Sequence, residues 1–327
     1  MPMDSPPEIR NVRFPTADDL LQARSVVAKY LAPTPLIRSD TFLLKLETFQ
    51  PTGSFKVRGA ITALASIPPN TRVITASAGN HALGIAFAAE TLSIDATVVI
   101  AENASPAKRA YLEQRKVTLI RHGQSVVEAE AFAIQLTAES KVPAHYVSPY
   151  NDPLVIAGQS TVLDEIIAVM PKQPLRVVVA VGGGGLLAGV ALRAAELRSD
   201  GWDIELVGVE SSESLAVSAS VAAGQTIDVL IGETIADGIS GNIEPGSITV
   251  DIVREHIKRL VHVSEADLRQ TVRWLIRRHG VVAEGAGATA VTAVRADPTL
   301  SAGRETVAVV SGKNIANQVL IDILAED

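Results

Sequence analysis

Three kinds of residue in this chain could do chemistry, and each stands at a turn. The first is a lysine. The stretch Pro51-Thr52-Gly53-Ser54-Phe55-Lys56-Val57-Arg58-Gly59-Ala60 sets Lys56 at the start of a segment whose apolar face continues through Ile61, Leu64 and Ala65. Thr52, Gly53 and Ser54 supply a turn and an N-cap. A cation in the first helical turn faces the positive end of the dipole, which lowers its pKa and leaves more of it as free amine. Schiff-base chemistry needs a free amine. Taken alone, Lys56 reads first as a surface cation on an amphipathic helix, and the other turns must overturn that. The second is Gly182-Gly183-Gly184-Gly185, between a β-branched run and an apolar helical one beginning at Leu186. Glycines there let backbone N–H groups approach a ligand, and the helix N-terminus behind them adds positive charge, so a phosphate is the expected guest. The third is a pair of serine turns, Ser77-Ala78-Gly79-Asn80-His81 and Ser311-Gly312-Lys313-Asn314. The amides after Ser77 and its hydroxyl could hold a carboxylate, although simple capping by Ser77 or Asn80 fits as well. His81 reads as a packed histidine and not as a base.

The phosphate could belong to more than one ligand. A P-loop is excluded, because no Gly-Lys-Ser/Thr follows the glycines. Gly183-x-Gly185-x-x-Ala188 formally fits a dinucleotide fingerprint, and Glu210 ends the next strand, where a ribose-binding carboxylate would stand. An NAD(P)-binding oxidoreductase is therefore the rival reading. It leaves Lys56 and both serine turns without a task.

The elements that must position these turns alternate. Strands are expected over 43–47, 73–76, 94–101, 117–120 and 144–147, with helices over 18–31, 80–91, 106 onward and 125–140. A second series follows: helix 153–169, strand 176–181, helix 186–197, strand 204–209, a helix opened by the capping box Ser264-Glu265-Ala266-Asp267, strand 305–310, and a last helix from about 314. Residues 1–16 read as a loose arm. This is the pattern of two open α/β sheets covered by helices, with ligands at the carboxyl ends of the strands.

Composition narrows the class. The 327 residues are 47% hydrophobic and 20% charged, which describes a globular protein with room for two domains. A net charge of −7 and only 4% aromatic residues argue against nucleic acid and anionic membrane as partners. No secretory leader or membrane span is visible. The absence of cysteine excludes disulfides and thiolate chemistry and fits a reducing cytoplasm.

The motifs together resemble the fold type II pyridoxal-phosphate enzymes, in the threonine/serine dehydratase and serine racemase branch. The resemblance rests on Gly53-Ser54-Phe55-Lys56-x-Arg58-Gly59-Ala60, Ser77-Ala78-Gly79-Asn80-His81-Ala82, the four glycines and Ser311-Gly312-x-Asn314. Pro153-Leu154-Val155-Ile156-Ala157-Gly158-Gln159, Ala236-Asp237-Gly238 and Glu284-Gly285-Ala286-Gly287-Ala288 support it, in order, from about residue 18 onward. It implies a tryptophan synthase β-like architecture, with the cofactor, pyridoxal 5′-phosphate, in the cleft between two domains. Residues 1–70 and 151–327 would form the large cofactor-binding domain and 71–150 the small substrate-side domain. It also implies a homodimer and a small amino-acid substrate, with neither nucleic acid nor membrane as partner.

The resemblance carries roles. Lys56 would hold the cofactor covalently and then act as base at Cα, with Ser77 as the second catalytic residue. Phe55 would pack on the ring, Asn80 would bond its 3′-oxygen, and Gly182, Gly183, Gly184, Gly185 and the Leu186 amide would cradle the phosphate. Glu284 would belong to the cofactor site, and Ser311 would face the ring nitrogen. Ser54, Ser77, Ala78, Gly79, Asn80 and His81 would surround the substrate. A serine facing the nitrogen does not enforce a protonated ring, which suits elimination of a β-substituent better than a long-lived carbanion. The implied reaction is loss of the Cα proton and the β-hydroxyl, the latter assisted by the cofactor phosphate, leaving a 2-oxo acid and ammonia. L-Threonine and L-serine are the first substrates. Other β-hydroxy amino acids of the 3-hydroxyaspartate or phenylserine type, or serine racemisation, are the alternatives. Racemases of this branch carry a second serine where this chain has Ala78, and alanine moves no proton.

Three departures stand out. The stretch between Arg38 and Lys45 is short. Lys313 replaces a usual glycine, where its charge would act on the ring nitrogen or on an acidic substrate side chain. Glu210 matches a divalent-metal ligand of the branch, but Ser214 and Ala216 lie where its acidic partner would be. No regulatory domain is expected after the core.

Overall fold

The structure, a computed structural model, describes residues 9–326. The expected arm over 1–16 thus lies partly outside the described residues, and 9–16 carry no regular structure. Helix α1 (Ala17–Tyr30) starts on a capping box between Thr16 and Asp19. Strands β1 (Leu36–Arg38) and β2 (Leu43–Leu46) pair antiparallel, and a 3-10 turn, Glu47–Phe49, leads to α2 (Lys56–Ala65). Then come β3 (Arg72–Ala76), α3 (Asn80–Leu92), β4 (Ala96–Ile100), α4 (Pro106–Glu113), β5 (Thr118–Arg121), α5 (Val126–Ala138), β6 (Ala144–Tyr146) and α6 (Pro153–Ala168). The second series is β7 (Leu175–Ala180), α7 (Gly185–Ser199), β8 (Ile204–Ser211), α8 (Ala216–Ala223), α9 (Ile248–His256), β9 (Arg259–Val263), α10 (Glu265–His279), α11 (Gly285–Ala296), β10 (Glu305–Val310) and α12 (Asn317–Ala325).

Two sheets result. The larger runs β1-β2-β10-β7-β8-β9 and is parallel apart from β1; the smaller, β5-β4-β3-β6, is parallel throughout. The continuous valines of β7 and β10 follow from burial on both faces. Val177, Val179, Val307 and Val309 enter one core with Leu163 of α6 and Leu187 of α7, while Val178, Ala308 and Val310 enter another with Val272 of α10 and Val291 of α11. The small sheet is covered likewise by α3, through Ile85 and Ala88 on Val73, and by α5, through Ala129 and Ala133 on Ile74 and Val99.

Helix α2 joins the two layers. Its Val57, Ile61 and Leu64 share a core with Val73 of the small sheet, Ile85 of α3 and Val155 of α6. Against α6 it packs backbone to backbone: a Cβ on Gly158 would lie 2.5 Å from the carbonyl oxygen of Arg58. The three glycine and serine turns follow the carboxyl ends of β3, β7 and β10, where open α/β sheets present their ligands.

The alternating elements stand where the hydrophobic pattern predicts them. The last helix starts at Asn317 and not at 314, because residues 313 and 314 are drawn back to the lysine turn. Strand β9 is an edge strand of mixed polarity and gave no periodic signal. Among the described residues, no helix is long and apolar enough to cross a membrane.

Candidate active site

The turn before Lys56 is built by tertiary bonds. Gly53 takes a positive φ of 73°, which glycine tolerates and a side chain resists. Lys313 N donates to Gly53 O at 2.9 Å, Ser54 bridges to Gly312, and Phe55 N donates to Ser311 O at 3.0 Å. The N-cap of α2 is Phe55, in helical conformation and without a side-chain bond. The expected cap from Thr52 or Ser54 is therefore corrected: Ser54 is drawn into the bridge, and its hydroxyl is buried with no partner in the structure.

Lys56 is partly exposed and donates from Nζ to the carbonyl of Pro149 at 2.7 Å, with the Phe55 ring 5.2 Å away. Burial pulls its pKa down to about 8, against the opposing charge of Glu284. Desolvation is the largest cause of that shift. His81 is buried, and its Nε2 bonds the carbonyl of Val147 at 3.3 Å, which requires the proton on that nitrogen. Burial, with the nearby Lys56 charge, holds its pKa down near about 3. It is a neutral packed ring.

Asn80 links two turns. Its Nδ2 donates to Glu284 Oε1 at 2.6 Å, and its Oδ1 accepts from Asn314 Nδ2 at 2.6 Å. Asn314 also donates to the carbonyl of Thr52 at 2.8 Å. Ser77 Oγ accepts from Gly79 N at 3.2 Å, and α3 opens on Gly79 with no side-chain cap. The first amides of α3 are thus offered to a ligand beside Ser77 and Ala78. Ser311 is buried and donates to the carbonyl of Ala286 at 3.3 Å.

The glycine loop has the same character at a second helix. Gly184 has a φ of 83°, and α7 begins at Gly185 with no side-chain cap, so the amides through Leu186 form an anion-ready N-terminus. Gly182 lies against Ile239, Gly183 and Gly185 against Tyr150, and Gly184 against Thr249, whose hydroxyl donates to Gly183 O at 2.8 Å. Tyr150 and the carbonyl of Pro149 are the parts that sequence reading missed. Tyr150-Asn151-Asp152-Pro153 reads as loop punctuation, yet the loop it belongs to reaches His81 through Val147, the lysine through Pro149 and the glycine loop through Tyr150.

Glu210 lies elsewhere. Its carboxylate accepts from Val217 N at 2.9 Å and Ser218 N at 3.1 Å, at the start of α8. Burial pushes its pKa up, against those bonds. The carboxylate is thus already bonded to a helix end. Among the described residues, no group of three or more histidine, aspartate or glutamate side chains is placed to hold a metal.

The gathered parts fit pyridoxal phosphate: an amine of lowered pKa, an uncapped glycine-walled helix N-terminus for the phosphate, and a buried serine close to the lysine turn. Residues 27–312 match the family described as pyridoxal-phosphate dependent enzyme. The catabolic L-threonine dehydratase of Escherichia coli (strain K12) is 34% identical, over 91% of this chain and 92% of its own. Among solved structures, the T.th. threonine deaminase superposes with a TM-score of 0.80 at 33% identity, covering 92% of this chain and 99% of that one. Maize serine racemase superposes with a TM-score of 0.86 at 26% identity, covering 95% and 97%.

Proposed function

The chain belongs to the family of pyridoxal-phosphate dependent enzymes, and from that premise we propose that it is an ammonia-lyase acting on a β-hydroxy amino acid, L-threonine or L-serine first. The single observation that carries the reading is Lys56, an amine brought to about 8 by burial and set among the three ligand-facing turns. Its relatives named threonine dehydratase and threonine deaminase support the substrate class.

Lys56 would hold the cofactor, the α7 N-terminus its phosphate, Asn80 and Ser311 its ring, and Phe55 and Glu284 would complete the surround. When bound, the cofactor supplies an electron sink for the pair left at Cα. Ser77 and the first amides of α3 hold the substrate carboxylate. Lys56 would take the Cα proton, the Cβ–O bond would break, and the departing hydroxyl would leave as water with the proton that Lys56 returns to it. The enamine freed from the site becomes an imine, which water hydrolyses to a 2-oxo acid and ammonia. Ala78 offers no proton carrier, so elimination is favoured over racemisation. We further place the enzyme in the cytoplasm as a homodimer and divide it as 1–70 with 151–327 against 71–150.

A panel of β-hydroxy amino acids, assayed for 2-oxo acid and for inverted product, tests the reading. Keto-acid release from threonine or serine, lost in Lys56→Ala, is expected. A protein that binds a nicotinamide cofactor and releases no keto acid would overturn it.

A further inference from the structure

A closed cluster of four charges lies behind the lysine helix. Arg58 has no exposed surface. Its guanidinium donates to Glu47 at 2.7 and 2.8 Å, to Glu165 at 2.6 and 2.8 Å, and to Thr161 Oγ1 at 3.1 Å. Lys45, 1% exposed, donates from Nζ to Glu165 at 2.5 Å and to the carbonyl of Thr34 at 2.8 Å. Thr34 closes the ring by donating from its hydroxyl to Glu47 at 2.6 Å. Two cations meet two anions, and the charge cancels.

Stability alone is a weak reason for such a cluster, because apolar side chains of similar volume often do as well. Its place in the fold supplies a better one. Lys45 is on β2, Glu47 in the turn after it, Arg58 on α2, and Glu165 on α6. Helix α2 begins at Lys56, α6 begins just after Pro149, and β2 is paired in register with the last residues of β10, which lead to Ser311. Helix α2 has no side-chain cap to fix its first turn.

We propose that Arg58 is the positioning residue of Lys56: its fork onto Glu47 and Glu165 holds the first turn of α2 so that the amine stays against Pro149 and level with Ser311. The inference concerns the placing of the lysine. It rests on the cofactor assignment and not on the identity of the substrate.

The test strips the holoenzyme of cofactor and follows recapture of pyridoxal phosphate by absorbance across pH. The charged and titratable groups facing Lys56 are Glu284, at the head of α11, and His81 on α3. Neither is altered. Arg58→Lys keeps the charge but loses the fork. The expected result is a capture midpoint at least one unit higher, which slows capture at pH 7 about tenfold, with kcat down tenfold or more and KM within threefold. Leu163→Ala, on α6 but with its side chain in the apolar core and no bond to the cluster, is the control for lost stability. It should lower the melting temperature and leave the midpoint in place. If Arg58→Lys fails to fold, Glu165→Gln is read in the same way. An unchanged midpoint in a folded variant, or a shift equal to that of Leu163→Ala, overturns the proposal. Failure of the unaltered protein to release keto acid would sink the lyase reading and leave the capture result standing.

Discussion

The N–H of Phe55 donates to the carbonyl of Ser311 at 3.0 Å, so the residue before the lysine proposed to hold the cofactor is bonded to the one proposed to face the ring nitrogen. With the Ser54–Gly312 bridge and the Lys313–Gly53 bond, this makes one stitched unit of two turns from opposite ends of the chain. Neither turn is placed by its own helix or strand alone. Asn80 adds the third turn through Asn314 and Glu284. The site is thus a property of contacts between sheets, and substitutions in one turn are expected to register in the others.

Lys56 should make the stripped protein respond to pH in a definite direction. Its folded pKa of about 8 lies below the ordinary value of 10.5. Between these two, the unfolded chain binds more protons than the folded one, so stability rises with pH across that window. Below about 8 both states are protonated and the cost of the buried charge is constant. In thermal melts without cofactor, the margin of Lys56→Met over the unaltered protein should shrink steadily from about pH 8 to pH 10.5. A margin independent of pH over that window would mean that the folded lysine keeps its ordinary pKa.

The glycine loop should tolerate no side chain at two of its positions, for different reasons. At Gly184, φ is 83° and an alanine costs about 1–2 kcal/mol of backbone strain. At Gly183 the backbone is permissive, but a Cβ would run into the Tyr150 ring. Gly183→Ala should therefore weaken pyridoxal-phosphate binding at least tenfold, measured by equilibrium titration. Combining it with Tyr150→Ala should restore part of the loss. No restoration in the double variant would show that Tyr150 is not what the new methyl meets.

How much of this was legible depends on how local each signal is. The four glycines and the two serine turns are sequence-local, since each follows an apolar strand and the turns at Ser77 and Gly182 open a helix, and they can be read directly. Tyr150 and Pro149 could not, because their part depends on where the loop after β6 lands, and no periodicity encodes that. Ser54 looked like a cap because it precedes a helix, but a distant glycine, Gly312, takes it into a bridge. Glu210 had the spacing of a ligand, yet two amides of α8 already claim it. The lowered pKa of Lys56 was anticipated from the helix dipole. The cause the structure adds is burial, which only packing reveals.

Lys313 stands exposed at the edge of the stitched unit, its side chain packed along Gly53. If it meets an acidic substituent on the substrate, the pair is solvent-exposed and worth about 0.2–1 kcal/mol. Lys313→Gly should then lower kcat/KM for a 3-hydroxyaspartate, relative to serine, by up to about fivefold, since about 1.4 kcal/mol is a factor of ten. The comparison is made at two salt concentrations, because screening should shrink the ratio in the unaltered protein and not in the variant. An equal ratio in both proteins at low salt would remove Lys313 from substrate choice. A changed cofactor spectrum without a changed ratio would assign its charge to the ring nitrogen.

Ala78 gives the sharpest test of the reaction's direction. It follows Ser77, before the uncapped start of α3, and presents only a methyl group. On the proposed reading Lys56 serves one face, and with His81 held neutral by burial, neither it nor Ala78 returns a proton to the other face of Cα. Ala78→Ser adds a hydroxyl at that point without changing the backbone, so it should leave keto-acid release within about threefold and introduce measurable D-serine from L-serine. Exchange of the Cα proton with deuterated solvent, followed by mass spectrometry, separates the two faces: the unaltered protein should return label only with retention, and the variant with inversion as well. If the unaltered protein already inverts serine as fast as the variant, a proton carrier other than residue 78 serves that face, and the preference for elimination must come from elsewhere in the site.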